Sequence, residues 1–396
     1  MQWDIDEATP RDWSKLKQEL KEAAVDLGID SIGFTSGKPF EGLKEILQNH
    51  RDKGFESGFE ESDLDKRVRP DLNFEGPLSI LAIAVAYPSK MQDPPRSETG
   101  AYRGMIARSA WGIDYHHVLR DRLAKLENWL KERVSGVRTL SMVDTGAFVD
   151  RAVSERAGVG FIGKNCMIIS PEWGSWVYLG EVITNIPFPE DTPITQMCGE
   201  CTKCIDACPT GALVGPGQLN ATRCVSFLTQ TKGVIEDDEL KKKIGNRLYG
   251  CDTCQIVCPF NKGKNWTQNE ELQPDPELVK PLLIPLLTMG NREFKEKYGM
   301  SAAAWRGKKP IQRNAILGLG NFKDRSAVPV LGKLLKDDPR PDIRATAAWA
   351  LGNIGGEEAL DVVRKAIQFE QENLVRTELE RSYERLMQAV TVDEGD

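Results

Sequence analysis

The chain has 396 residues, 40% of them hydrophobic and 28% charged, the make-up of an ordinary globular protein with room for two or three domains. A formal net charge of −7 excludes a surface that is basic throughout, so any nucleic-acid contact has to be local. The longest apolar run, Leu78 to Tyr87, is too short to span a bilayer, and the acidic opening MQWDIDEATPRDW lacks the apolar core of a targeting peptide, so no membrane partner and a reducing cytoplasm are expected.

Thr9-Pro10 reads as a helix start, a cap followed by proline at the first helical position. Trp13, Leu16, Leu20, Ala23, Ala24 and Leu27 then recur at helical spacing until Gly28. Ser31 to Thr35 is expected as a strand and Glu41 to Gln48 as a helix. Asp63 to Pro70, DLDKRVRP, reads as a charged loop. Ser79 to Tyr87, with its ILAIAVAY, is the continuous apolar run of a strand buried on both faces. An amphipathic helix is expected over Tyr115 to Val134, a strand over Arg138 to Val143, a helix over Phe148 to Ala157 and a strand over Trp176 to Thr184. Helices alternate with strands, so residues 1–190 are expected to form an α/β domain within a multidomain α+β chain.

Eight of the nine cysteines lie between residues 198 and 258. Cys198-x2-Cys201-x2-Cys204-x3-Cys208-Pro209 is one run; Cys251-x2-Cys254-x3-Cys258-Pro259 is a second. This is the spacing of a ferredoxin-like module with two 4Fe–4S clusters, in which the fourth cysteine of each run ligates the other cluster. One cluster takes Cys198, Cys201, Cys204 and Cys258. The other takes Cys208, Cys251 and Cys254, and Cys224 is the local candidate for its fourth ligand. Zinc also uses C-x2-C pairs. Paired zinc sites tend to recruit histidine, however, and His50, His116 and His117 all stand far upstream. The module is placed at 191–265, and a polar, proline-containing connection follows it.

The remainder, 280–396, repeats itself at an offset of 32 residues: NAILGLGNF from Asn314 aligns with TAAWALGNI from Thr346. Each unit is expected to be two helices around a Leu-Gly-Asn turn, a HEAT-like pair that buries its apolar faces by stacking. Residues 301–345 carry ten Lys/Arg against four Asp/Glu, and 346–396 carry five against eleven. Lys308, Lys309, Arg313, Lys333, Lys336, Arg340 and Arg344 therefore offer either a basic face or merely solvated side chains.

Gly158-x-Gly160-x-x-Gly163 imitates a dinucleotide fingerprint, but a helix precedes it where the fingerprint needs a strand. Lys164 and Asn165 in this turn remain candidates to cradle a polar cofactor edge. Asp144 follows a strand directly. It reads either as a proton donor, if burial raises its pKa, or as an Asx turn with Thr145-Gly146. Cys166 is expected to be a small buried residue. Asp114-x-His116 begins like a D-x-H-x-x-G cobalamin motif, but Leu119 stands where the glycine belongs.

VDTGAFVDRAVSERAGVGFIGKN (143–165), GSWVYLGEVIT (174–184), CGECTKCIDACPTGAL (198–213), RCVSFLTQ (223–230) and GCDTCQIVCPFN (250–261) together resemble the epoxyqueuosine reductases. The resemblance runs over nearly the whole chain. It implies reduction of epoxyqueuosine to queuosine at the wobble position of tRNA, the last step of queuosine biosynthesis. Two 4Fe–4S clusters would pass electrons to cobalamin, supplied by an external donor such as flavodoxin or ferredoxin. It implies that Asp144 is the proton donor, that Arg67, Ser226 and the backbone at Cys251 lie near the corrin, and that no histidine is needed on cobalt. The HEAT-like repeats would hold the anticodon stem-loop, which favours Lys308, Lys309 and Arg313 as tRNA contacts. The competing reading is a cobalamin-dependent reductase of a small molecule, of the reductive-dehalogenase kind.

Overall fold

The structure, a computed structural model, describes residues 3–5 and 12–393. The chain forms two compact units interleaved in sequence. One comprises Met1–Lys90, Ile113–Thr222 and Thr253–Gln273; the other comprises Met91–Gly112, Arg223–Asp252 and Pro274–Asp396. Among the described residues no helix is long and apolar enough to cross a membrane.

Thr9 and Pro10 lie outside the described residues. Helix α1 (Trp13–Ala23) is capped by Asp12, whose carboxylate accepts from the Ser14 N–H. The first unit is built on four strands, β1 (Ser31–Ser36), β2 (Ser79–Ala86), β3 (Thr139–Met142) and β4 (Val177–Thr184), in the order β1-β2-β4-β3. Every neighbouring pair is antiparallel. The elements are where the sequence puts them, but the sheet is not the parallel one of an α/β domain.

The apolar run of β2 has a different cause. Alternate side chains of a strand point to opposite faces, and here both faces are covered. Leu81, Ile83 and Val85 pack with Leu16 and Leu20 of α1 and with Leu119, Leu123, Leu126 and Leu130 of a helix over Tyr115–Arg133. Ile80, Ala82, Ala84 and Ala86 pack with Leu47 of a helix over Leu43–Asp52, with Leu64 and Val68, and with Val153 of a helix over Asp150–Arg156. All eight residues of β2 are buried. Continuous hydrophobicity reports two-sided burial, and antiparallel strands meet that condition as well as parallel ones.

The segment DLDKRVRP is also helical rather than a loop. Asp63 caps Leu64–Val68 by accepting from the Asp65 and Lys66 N–H groups, and Leu64 and Val68 are buried.

In the second unit, helices Lys308–Phe322, Val328–Asp337, Pro341–Ile354 and Glu357–Ile367 form the two repeats, followed by a helix over Asn373–Asp393. The Leu-Gly-Asn triplets are not turns. They sit inside the last turn of each first helix, and the chain reverses after them, at Lys323 (φ 55°) and at Gly355-Gly356 (φ 78° and 88°). The glycines admit the neighbouring helix. A Cβ at Gly320 would lie 2.9 Å from Trp349 Cζ3, and one at Gly352 would lie 2.7 Å from the Ser382 side chain. The asparagines bond backbone: Asn321 donates to the carbonyls of Lys241 and Gly245, and Asn353 donates to that of Trp349.

Candidate active site and cluster-binding loops

Asp144 stands in the turn after β3, here Thr139–Met142, with φ 51°, a left-handed conformation uncommon outside glycine. Its carboxylate does not close an Asx turn. Tyr115 Oη donates to Asp144 Oδ2 at 2.7 Å, and His116 Nε2 lies 3.5 Å from the same oxygen. The other imidazole nitrogen, Nδ1, is 2.8 Å from Asp114 Oδ1. Asp114 also caps the helix that carries the tyrosine and the histidine, Tyr115–Arg133. The Tyr115 ring is stacked on His116 (centroids 4.2 Å apart) and on Tyr178 of the neighbouring strand (4.7 Å). The failed cobalamin motif is thus a helix cap that grips an imidazole.

The electrostatics follow from this geometry. Hydrogen bonding to Asp114 and then to Asp144 pushes the His116 imidazole up to about 9. The same histidine, with Tyr115, holds the Asp144 carboxyl below its ordinary value, against the effect of burial. Burial does not raise Asp144, the condition under which sequence made it a proton donor; both shifts favour the proton on the imidazole. Behind Asp144 lie Asp150 and the buried Glu181, both raised by burial, Asp150 to about 7. The Asp144 side chain itself is 58% exposed and His116 only 20%.

In the same unit, Cys198 lies near enough to Cys204 and Cys258 to act on them electrostatically, and Cys201 near enough to act on Cys258. Burial pushes the Cys204 thiol up, and Cys198 and Cys258 act in the same direction; burial also raises Cys258, with Cys198 and Cys201 adding to it. Cysteine ligands give up their protons when a metal binds, which is the chemistry of a thiolate-ligated iron site. The backbone N–H of Lys164 is directed at Cys198 Sγ at 3.4 Å, a contact of the kind that tunes a cluster's potential. Lys164 Nζ donates to the Gly199 carbonyl, and Asn165 Nδ2 to that of Cys254. Both residues therefore serve the cysteine loops.

The glycine run is a β-hairpin rather than a nucleotide loop. Phe161–Ile162 pairs with Ile168–Ile169, and a Cβ at Gly160 or Gly163 would meet Ile168 or Ile169 side chains at 2.6 or 2.5 Å. Cys166 is buried in the turn, packed with Cys204 and Leu213, as expected.

The GSW and CPFN segments meet in a buried polar joint. Asn261 Oδ1 accepts from the Ser175 N–H at 2.7 Å. Asn261 Nδ2 donates to the Gln255 carbonyl at 2.7 Å and to Ser175 Oγ at 2.9 Å. Gln255 Nε2 donates to the Ser175 carbonyl at 2.8 Å. Gly174 adopts φ 65°, and a Cβ there would lie 2.2 Å from Asn261 Oδ1. Sequence alone assigns these residues no role, although the positive-φ glycine beside a serine is the kind of signal that marks a tight joint.

Sequence-family comparisons agree with this layout. Residues 197–261 match the 4Fe-4S double cluster binding domain, 67–145 match epoxyqueuosine reductase QueG, DUF1730, and 303–384 match HEAT repeats. An epoxyqueuosine reductase of Bacillus anthracis is 56% identical over 377 residues, 95% of this chain and 99% of the relative. The chain belongs to the epoxyqueuosine reductase family. The Bacillus subtilis epoxyqueuosine reductase is 57% identical, covering 96% of this chain and 98% of its own length. The crystal structure of an epoxyqueuosine reductase with a tRNA-Tyr epoxyqueuosine-modified stem loop superposes with a TM-score of 0.93 at 57% identity, covering 95% of this chain and all of that one.

The other sites expected of an epoxyqueuosine reductase are placed as follows. Arg67 is buried, with Nη1 3.8 Å from Glu56 Oε1. In the second unit, Cys224 stands immediately before the helix Val225–Gln230 that carries Ser226. Thr229 Oγ1 of that helix accepts from the Gly250 N–H, next to Cys251. Arg108, which sequence reasoning missed, braces the same loop: its backbone N–H and Nη1 donate to Asp252 Oδ2 at 3.1 and 2.8 Å.

The expected basic face is corrected at several points. Arg313 is 2% exposed, and its guanidinium donates to the carbonyls of Leu228, Thr231 and Gly233. A helix lysine or arginine looks solvated in sequence, but this one faces the loop after Val225–Gln230. Arg340 is paired with Asp338, Arg344 with Glu370, and Lys308 Nζ donates to the Met289 carbonyl. Lys309, Lys333 and Lys336 are exposed.

Proposed function

We propose that the protein reduces epoxyqueuosine to queuosine in the wobble position of tRNA. The observation that carries this reading is similarity over 95% of the chain to a reductase solved with an epoxyqueuosine-modified stem loop. The arrangement around Asp144 supports it. An epoxide that is opened reductively builds negative charge on oxygen, and an exposed carboxyl fed by an imidazole can deliver a proton there. The wobble base of an anticodon loop is unpaired, so a site can take it out of the stack at little cost.

Two 4Fe–4S clusters fit the cysteine pattern, with Cys198, Cys201, Cys204 and Cys258 holding one and Cys208, Cys224, Cys251 and Cys254 the other. Cobalamin, when bound, supplies a reduced metal centre. Its fit is supported by the donor set: both nitrogens of His116 are engaged by carboxylates, which suits a cofactor that asks no histidine for cobalt. Arg67, Ser226 and the backbone at Cys251 are the residues assigned to it, with Lys164 and Asn165 supporting the cysteine loops. Residues 1–190 would form the cofactor domain, 191–265 the cluster module and 280–396 the tRNA-binding repeats, with electrons drawn from a cytoplasmic flavodoxin or ferredoxin. Among the basic residues, Lys309, Lys333 and Lys336 are free to meet phosphates.

The test is a comparison of wild type with Asp144→Asn, loaded with clusters and cobalamin, in single turnovers on an epoxyqueuosine-bearing stem loop. The variant should bind both partners and accept electrons yet turn over ~10²–10⁴-fold more slowly. Wild-type rates in the variant would refute the assignment.

A further inference from the structure

Removing an epoxide oxygen as water takes two electrons and two protons: both C–O bonds break, an alkene forms, and the oxygen leaves carrying both hydrogens. The two electrons arrive singly from the external reductant. The Asp144–His116 pair can supply one of the protons, and Asp144, being exposed, can take the other from solvent.

We infer that His116 is a positioning residue that stores one of these protons between Asp114 and Asp144 and passes it through the Asp144 carboxylate to the departing oxygen. This rests on the reading of the site as an epoxide reductase. Three observations carry it. The imidazole is held from both ends, with Nδ1 2.8 Å from Asp114 Oδ1 and Nε2 3.5 Å from Asp144 Oδ2. Its Nε2 is shut off from solvent, and Asp144 Oδ2 at 3.5 Å is the acceptor it faces. Asp144, by contrast, is 58% exposed and therefore reachable by substrate. An acid that touches substrate, backed by a buried donor, is the layout of a two-step proton supply.

The charges around the imidazole favour the protonated form. Asp114 and Asp144 face it directly, and Tyr115 is stacked on it and shares Asp144 Oδ2. Tyr178 stacks on Tyr115 from the adjacent strand, and Asp150 and Glu181 act on Asp144 from behind. Positive charge comes from His117, which acts on Asp114, and from Arg151, which acts on Asp150. Two carboxylates gripping one imidazole raise it to about 9, so the store is filled at neutral pH. The store is lost as pH rises through that value, because a raised imidazole is charged below it and neutral above it.

A purely structural clamp would also hold the Asp144 rotamer, and the experiment separates the two. The chain has three histidines, so His116 can be followed by NMR in full-length, cluster-loaded protein without substrate. Its titration should lie near 9 and fall toward the ordinary 6.5 in Asp144→Asn and in Asp114→Asn. An imidazole that titrates at its ordinary value in wild type would overturn the inference. In turnover on the modified stem loop, the wild-type rate should decline on the alkaline side with the same midpoint. His116→Gln should keep KM, lower kcat by ~10²-fold, and lose that alkaline decline. A uniform loss that leaves the midpoint in place would mean a clamp and would also overturn it. If His116 titrates high yet the stem loop is never converted, the reductase reading fails; if conversion proceeds with a pH profile indifferent to His116, the proton store fails and the reductase reading stands.

Discussion

Replacing Asn261 with alanine tests whether the joint between the GSW and CPFN segments holds the first cluster's loops. Asn261 is 7% exposed, Ser175 fully buried and Gln255 5% exposed. Truncation leaves the Ser175 N–H without the partner it has at 2.7 Å, whereas the Gln255 carbonyl keeps the Cys258 N–H at 3.2 Å. A buried backbone group left unpaired costs about 1–3 kcal/mol, so the variant should lose about 1–3 kcal/mol. Ser175 Oγ keeps its bond from Gln255 Nε2, so it adds little. Ser175→Ala, which removes only the hydroxyl and leaves the backbone bond, should cost about 1 kcal/mol. Gln255 stands between Cys254 and Cys258, so loosening it should also lower the iron and sulfide held per chain. The assay is urea unfolding of cluster-loaded protein beside iron and sulfide analysis. An Asn261→Ala protein within about 0.5 kcal/mol of wild type and with full iron would refute the role given to the joint.

Arg313→Ala should cost about 3 kcal/mol or more, because three carbonyls lose a charged donor. Any loss of tRNA binding in that variant should track its unfolding. Reversing Lys309, Lys333 and Lys336 together should leave stability within about 0.5 kcal/mol, weaken stem-loop binding and flatten its salt dependence, by about 0.7–0.9 for each phosphate no longer neutralised. An unchanged salt slope would return these lysines to the solvent. Gly352→Ala drives a Cβ to within 2.7 Å of Ser382 and should cost about 1–3 kcal/mol, read as a lower urea midpoint. Cys224→Ala should halve the iron content while sparing the cluster at Cys198, Cys201, Cys204 and Cys258; full iron would remove Cys224 from the ligand set. The pair His116–Asp144 adds stability that is whole between their shifted values. The imidazole's share is lost as pH rises through about 9, and the carboxylate's share as pH falls below its ordinary 3.8 through its lowered folded value. Asp144→Asn should weaken both limbs of the unfolding profile.

The sequence was legible where one physical cause has one signature. Cysteine spacing is dictated by cluster geometry, so both runs could be read without a structure. A continuous apolar run located β2, and a period-3.6 pattern located the Tyr115–Arg133 helix. It was not legible where one signature has two causes. An apolar run marks a strand covered on both faces and says nothing about whether its neighbours run parallel. Leu-Gly-Asn reads as a turn, yet glycine also serves where two helices touch, as Gly320 does at Trp349. Arg313 reads as a surface charge because its acceptors are the backbone carbonyls of residues some eighty positions away. At the candidate site, Asp144 was visible from its place after a strand. The direction of its pKa was not, because that is set by an imidazole 28 residues earlier in the chain. Asp114-x-His116 was noticed for a motif it fails and matters for the aspartate it faces.

Removal of one oxygen from a modified tRNA base is the reaction on which everything else here depends. Mass spectrometry of an epoxyqueuosine-bearing anticodon stem loop, after anaerobic incubation with cluster- and cobalamin-loaded protein and a low-potential reductant, tests it directly. The modified nucleoside should lose the mass of one oxygen atom and co-elute with queuosine. Unaltered epoxyqueuosine, from protein shown by its iron content and absorption spectrum to hold both clusters and the corrin, would contradict it.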